Sequence, residues 1–393
     1  MKVTFVANFM NHHQLPFSLE MQRLTDGGYT FVAFDPLAEE QRNLGYYDMN
    51  ALPFIIRAYE NEAEYNRAMD VILNDDMVIF GSCPDEVVAK RAATGKPFII
   101  YSERFFKKGT YRRFIPITYK KIYNRLLRYE NHDVSIICSS AYLPYDIKLL
   151  RKKFEIYKWG YFPQVSEYDI EKLIEKKKQN EKIIIAWTAR FISWKHPEVP
   201  VMIAEKLKQA GYDFQLNMIG VGPLLEKTKE MVKSKGLDDY VNLLGSKTPD
   251  DVRKEMDKAD IFMVTSDFQE GWGAVMNESM NSACAVVANH GIGSAPFLID
   301  NGKNGFVYKN GNIEDLYKKV KYLCDNSEKR IEMGKAAYET ITKQWCAENA
   351  TRRLYNIIKA KVEKTEEPVY KDGPCSKAEI ITHKYRKGNY DKI

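Results

Sequence analysis

Ile261-Phe-Met-Val-Thr-Ser266, Glu270-Gly-Trp-Gly-Ala-Val-Met-Asn-Glu278 and Ala285-Val-Val-Ala288 form one continuous unit. The first run reads as a buried strand and the last as a second one. Between them the spacing predicts a helix over Trp272–Ala283 that ends in small residues. Glu270 then lies in the loop at the mouth of that helix, and Glu278 lies in its second turn. Gly271 and Gly273 let backbone N–H groups approach a ligand, and a helix N-terminus favours phosphate. Carboxylates that accept hydroxyls beside an anion seat suit a sugar nucleotide. Two glutamates at this spacing are otherwise ordinary surface charges.

The same strand–helix alternation extends outward on both sides. Towards the C-terminus of the repeat, Gly305–Tyr308 reads as a further strand. Upstream lie strands at Ile183–Thr188, Phe214–Ile219 and Val241–Leu244, with helices at Pro197–Ala210, Leu224–Lys235 and Pro249–Lys258. Thr248 is placed to cap the last of these, with Asp251 in its first turn. Residues 167–182 are highly charged and read as a helix leading into an exposed hinge. Before them the pattern occurs once more, with strands at Lys2–Ala7, Tyr29–Phe34, Met77–Phe80, Pro97–Tyr101 and Val134–Ser139. Helices are expected at Leu15–Leu24, Pro84–Ala93, Pro116–Tyr129 and Tyr145–Lys153. After Lys309 the chain turns helical, at Ile313–Cys324, Glu328–Lys343 and Cys346–Lys361. From Glu366 the sequence is polar and broken by Pro368, Gly373 and Pro374, which reads as a loosely docked tail. Two βα repeats joined by a charged connector predict an α/β protein of two doubly wound parallel sheets. Ligands in such sheets bind beyond the carboxyl ends of the strands. With two domains, the expected site is an interdomain cleft.

Composition narrows the function. The chain has 393 residues, 45% of them hydrophobic, enough for two cores. No apolar run approaches the ~20 residues of a membrane span, and the apolar start is too short for a signal peptide. The six cysteines (83, 138, 284, 324, 346, 375) form no CxxC pair and read as reduced cytosolic thiols. The net charge of +6 is modest but clustered: residues 104–128 hold nine Lys or Arg and no Asp or Glu. There Arg104, Lys107, Lys108, Arg112, Arg113, Lys120 and Lys121 alternate with aromatic residues. Basic heads on aromatic bodies suit an anionic membrane surface. Nucleic acid fits the same charge less well, and a merely solvated face is the plain alternative.

Three further constellations carry chemistry. Arg190 and Lys195 follow the Ile183–Thr188 strand, where Arg190 can grip phosphate oxygens in a fork and Lys195 acts as a point charge; the bland alternative is two solvated cations. Gly220-Val-Gly222-Pro223 joins a strand to a helix and allows backbone to approach a phosphate or base, although an ordinary tight turn competes. Asn289-His-Gly291-Ile-Gly293-Ser294 offers backbone amides to a diphosphate, with an ordinary loop as the alternative. In the first repeat, His12 and His13 follow the first strand in a loop suited to binding an acceptor hydroxyl or relaying a proton, with structural hydrogen bonding as the competing role. Glu103 is similarly placed at a strand end, and a salt bridge is its competing role.

At these residues the chain resembles the GT-B glycosyltransferases of family GT4, of the bacterial surface-polysaccharide type. The resemblance rests on Glu-x7-Glu, Arg190 with Lys195, Gly220–Pro223 and Asn242-Leu-Leu-Gly245, in that order. It implies a GT-B fold of two Rossmann-like domains, with residues 1–165 binding acceptor, a linker at 166–181 and residues 182–345 binding the nucleotide sugar. A helix at 346–365 crosses back to the N-terminal domain, and a polar tail occupies 366–393. By the same resemblance the reaction is retaining and metal-free, with no cofactor and a UDP-sugar as favoured donor. Glu278 accepts the ribose hydroxyls, and Glu270 binds the donor sugar near the amides of Trp272, Gly273 and Ala274. Arg190 and Lys195 hold the diphosphate, and Ser246 lies near the base. The implied acceptor is a glycan, lipid-linked, at the cytoplasmic membrane face. Several positions depart from the family pattern: Ala189 replaces a glycine, Asn11-His-His a glycine-rich loop, Ser102-Glu103 a histidine and Phe297 a glutamate. The competing readings are a noncatalytic nucleotide-sugar or nucleic-acid binding module, and an epimerase or phosphorylase on the same fold.

Overall fold

Strands covered on both faces by helices have no polar side, so they read as unbroken apolar runs. This is how Phe98-Ile-Ile100 and Ala285-Val-Val-Ala288 are built, and all of these residues are buried. The computed structural model describes residues 1–37 and 48–388. They fall into two compact units. The first holds Met1–Gln164 and Trp345–Ile380, and the second holds Val165–Gln344 and the segment from Ile381.

The first unit contains seven parallel strands: β1 Val3–Ala7, β2 Tyr29–Ala33, β3 Ile55–Arg57, β4 Met77–Phe80, β5 Phe98–Ser102, β6 Val134–Cys138 and β7 Glu155–Lys158. Their order is β3-β2-β1-β4-β5-β6-β7, so the direction of winding reverses between β1 and β4. Helix Ala347–Glu363 belongs to this unit and packs on helix Leu15–Leu24. Its Ala350, Leu354, Ile357 and Ile358 are buried at helical spacing.

The second unit repeats the plan with β8 Ile183–Thr188, β9 Phe214–Ile219, β10 Val241–Leu243, β11 Ile261–Val264, β12 Ala285–Asn289 and β13 Phe306–Tyr308. The order is β10-β9-β8-β11-β12-β13, all parallel, with the reversal between β8 and β11. Ile185 pairs with Leu216 on one side and Ile261 on the other. These join Trp187, Phe214, Met218, Met263 and Val287 in one core. Thr248 caps the Pro249–Lys258 helix by accepting from the Asp251 N–H.

Several segments differ from their sequence reading. The short edge strands β3 and β7 and the helix Glu62–Asn74 were not anticipated. The helix expected over Pro116–Tyr129 stops at Arg125 and resumes as a 3-10 turn, Leu127–Tyr129. The charged connector is not an exposed hinge throughout. Asp169 caps a helix Ile170–Lys178, whose Leu173 and Ile174 pack on Ala283. Lys177 is buried there and donates to the carbonyls of Ala259 and Ser282. Much of the segment after Glu366 is also not a loose tail. Cys375 and Ala378 donate to the Lys158 and Ile156 carbonyls, so this stretch runs along the free edge of β7. Further on, Tyr385 is buried in the second unit against His290.

Candidate functional site in the second unit

The crossover order of the second sheet opens a crevice at the carboxyl ends of β8 and β11, where the winding reverses. The loops leaving those strands are fastened to each other. Thr265, just after β11, donates its hydroxyl to the Lys195 carbonyl at 2.6 Å and accepts from the Trp187 indole at 2.7 Å. Asp267 N–H donates to the Trp194 carbonyl. His196, left-handed at φ 53°, lies between Glu198 at 3.0 Å and Asp267 at 3.3 Å. Hydrogen bonds to Asp267 and then Glu198 push its pKa up to about 9, so it is a cation at neutral pH. Burial acts to raise the pKa of Asp267, but bonds from His196 and Gln269 outweigh it and hold the carboxyl below its usual range.

This framework delivers Lys195 to Glu270, and the two form a close ion pair with both side chains largely covered. The pair joins residues 75 positions apart. The Lys195 ammonium also lies 4.4 Å from the Trp194 ring centre. Arg190 is exposed, with its guanidinium 6.0 Å from the same ring. An exposed guanidinium, with no ion pair among the described residues, and a lysine paired with a carboxylate therefore share this loop. Such a pair of cations beside a carboxylate is an arrangement suited to an anionic ligand.

The helix after the loop is shorter than its sequence suggests. It spans Val275–Asn281, and Trp272, Gly273 and Ala274 belong to the turns before it. Glu278 consequently lies in its first turn, not its second. Trp272 is buried and donates from its indole to Asn277, so its ring fixes the turn while only its backbone faces the loop. Gly273 has φ 83°, and Glu270 and Ile292 crowd the place of a Cβ there. Glu278 is half-buried; desolvation raises its pKa, with Arg253 pulling the other way. Arg253 also donates to the Glu278 carbonyl and to Asn281.

The glycines of the β9 loop have a structural task. Gly220 (φ 135°) and Gly222 (φ 152°) lie against the backbone of residues 189–191, and a Cβ on Gly220 would stand 2.0 Å from the Ala189 carbonyl oxygen. The Phe191 N–H donates to the Val221 carbonyl, and the Leu224 N–H to that of Phe191. These glycines thus bring the β9 loop against the loop bearing Arg190. Ser246 is exposed after β10, where the Gly245 carbonyl accepts from Gly220 N–H. In the β12 loop, His290 is buried and accepts from the Asn310 N–H, and burial lowers its pKa to about 4. His196, Asp267, Trp194 and Arg253 escaped the sequence reading. The adjacency of His196 to Lys195, and of Asp267 to Glu270, was the available signal.

The residues proposed for the first unit gather at the carboxyl ends of its own strands. The His12 and His13 rings lie 3.7 Å apart, and His13 stacks on Tyr161 at 5.7 Å. Burial lowers the pKa of both histidines. Glu103 accepts from the Tyr161 hydroxyl at 2.8 Å and pairs with Lys107, so the competing salt bridge is present. Arg104 does not belong to an exposed basic face. It is buried, paired with Asp146 at 3.4 Å and stacked over Tyr142. Lys108, Lys120 and Lys121 are exposed, and Arg112 and Arg113 are half-buried.

Residues 169–340 match the family profile "Glycosyl transferases group 1". Among curated proteins, the chain is 29% identical over 181 residues to the poly(ribitol-phosphate) alpha-N-acetylglucosaminyltransferase of Staphylococcus aureus, spanning 46% of this chain and 36% of that one. It is 27% identical over 188 residues to the D-inositol 3-phosphate glycosyltransferase of Corynebacterium kroppenstedtii, 46% of this chain and 41% of that one. The chain thus spans well under two thirds of these curated relatives. Among solved structures, Anabaena HepE in complex with UDP superposes with a TM-score of 0.69 at 14% identity, over 92% of this chain and 100% of that one. TarM of S. aureus, solved with UDP and a GlcNAc-glycerol, gives 0.63 at 14% identity, over 91% and 100%. At such identities the likeness establishes the fold: two parallel-sheet Rossmann-like domains of the GT-B type.

Proposed function

We propose that the chain is a retaining glycosyltransferase. It transfers a hexose-type sugar from a nucleotide donor, a UDP-sugar, to a glycan acceptor of cell-surface polysaccharide, lipid-linked during assembly. The observation that carries this reading is the Lys195–Glu270 pair beside Arg190 at the carboxyl ends of β8 and β11. The family match over the same unit and the named transferases among its relatives support it.

The chemistry follows from charge. As the bond between the sugar C1 and the diphosphate breaks, negative charge grows on the leaving oxygen. Arg190 and Lys195 neutralise it, and fixed cations do so without reorganising in the transition state. Lys195 exchanges Glu270 for a phosphate oxygen, and Glu270 turns to the sugar hydroxyls. Glu278 takes the ribose hydroxyls. The acceptor oxygen bonds to C1 on the face the diphosphate leaves, and its proton passes to a phosphate oxygen of the departing group. Configuration is kept and no protein base is required. Two fixed cations supply the charge that a divalent metal would bring, so the reading asks for none. His12, His13 and Glu103 are assigned to the acceptor side.

The test is donor turnover by Lys195→Met and Glu270→Gln, with the anomeric configuration of the product read by NMR. Loss of a charge-assisted phosphate contact costs about 1.5–3 kcal/mol, or roughly 10- to 150-fold in turnover. Parental rates in both variants would overturn the site, and an inverted product would overturn the mechanism.

A further inference from the structure

The first unit carries a surface that sugar transfer does not use. In residues 111–123, Tyr111, Phe114, Ile117, Tyr119 and Tyr123 are all exposed, with Phe114 73% and Ile117 78% accessible. A water-facing helix normally turns such residues inward, yet in helix Pro116–Arg125 only Ile122 is buried. Cations surround this apolar crown. Lys108, Lys120, Lys121 and Arg128 are exposed, and Arg113 lies 4.4 Å from the Phe114 ring centre. The neighbouring carboxylate, Glu130, is taken up by Lys152.

Beside the crown, an open groove of about 620 Å³ is lined by Arg113, Phe114, Tyr119, Tyr145, Lys148 and Arg151, with Leu149 and Leu150. It holds three cations and no carboxylate. Lys148 and Arg151 continue into a second groove where Lys152, Lys153 and Lys377 outnumber the carboxylates Glu155 and Glu379. Apolar side chains standing out from a basic field match an anionic lipid surface: the crown enters the interfacial layer while the cations meet headgroup phosphates. Single-stranded nucleic acid would want flat aromatic platforms along a track. Here the two most exposed residues are a phenylalanine and an aliphatic isoleucine.

We propose that this surface docks the protein on an anionic bilayer, with Phe114 and Ile117 inserted and the Arg113–Lys148–Arg151 groove seating a lipid phosphate. The proposal is independent of the donor-site reading. Its test is cosedimentation of the full chain with phosphatidylcholine vesicles, with and without phosphatidylglycerol, in about 0.1 M and about 1 M salt, between which screening shortens from ~10 to ~3 Å. Binding is expected on anionic vesicles alone and is expected to fade in high salt. Replacing Lys120 and Lys121 together by Gln should weaken it about 30-fold. Phe114→Ser with Ile117→Ser should weaken it at least about tenfold. The rise in melting temperature produced by UDP, read on the same preparations, reports the donor site separately and should survive both pairs of substitutions. Equal binding to neutral vesicles, no vesicle binding at low salt, parental binding by both double variants, or salt-sensitive RNA binding without vesicle binding would each overturn the proposal.

Discussion

Replacing His196 by Asn tests the framework that presents Lys195. Asn is chosen because it tolerates the left-handed φ of 53° at this position, so the change removes the charge without adding backbone strain. His196 bonds to Asp267 and Glu198, which raises its pKa from 6.5 to about 9. A rise of that size sets a ceiling of about 3.4 kcal/mol on the stabilisation. The side chain is 34% exposed, and solvent screening reduces the expected share to about 1–2 kcal/mol. The sign follows from the direction. A group whose pKa is higher in the folded protein contributes fully below its unfolded pKa of 6.5 and loses that contribution as pH climbs through about 9. The assay is thermal unfolding of parent and variant from pH 6 to pH 10, compared at each pH so that other titrating groups cancel. In a unit of this size, about 1–2 kcal/mol corresponds to a gap of about 2–8 °C. The gap should be widest near pH 6 and should close towards pH 10. A gap that is constant or widens with pH would refute the ion-pair account of this loop.

Gly220→Ala should lower stability by at least about 2–3 kcal/mol, since it forces a side chain to φ 135° and against the Ala189 carbonyl; an unchanged melting temperature would remove the glycine's packing role. Arg91 is fully buried and donates to the carbonyls of Ile72, Leu73, Asp75, Asp76 and Pro97. Arg91→Met removes all five of these bonds and should cost at least about 3 kcal/mol, which denaturant unfolding of the variant would detect or exclude. On the proposed assignment of Arg190 and Lys195 to the diphosphate, donor turnover should persist in excess chelator; a loss restored by magnesium or manganese would show that a metal is required.

The sequence discloses most where one physical demand dominates. Strands such as Ala285–Asn289 must be apolar on both faces, so they are visible as runs, and their alternation with helices announces the doubly wound plan. Edge strands lack that demand. Ile55-Ile-Arg57 is only three residues long, and Glu155-Ile-Tyr-Lys158 carries charges at both ends, so neither stands out from a loop. Contacts between distant residues are equally hidden. Lys195 and Glu270 were each recognisable as strand-end charges, but nothing local says that they meet. Arg104 looked like one more member of a basic cluster because its partner, Asp146, lies 42 positions away. The glycines at 220 and 222 drew attention as ligand-approach points, although their immediate neighbour is the protein's own backbone.

The first unit is completed by a segment made long after the rest of it. Helix Ala347–Glu363 is translated only after the 180 residues of Val165–Gln344. At about 5–20 residues per second, the nascent first unit waits roughly 10–40 s on the ribosome with the receiving face of Leu15–Leu24 uncovered. The second unit is continuous from Val165 to Gln344 and then adds only the segment from Ile381, which buries Tyr385 against His290. The N-terminal half therefore spends that interval without one of its packing helices, and this is when a chaperone holding apolar segments has most to protect.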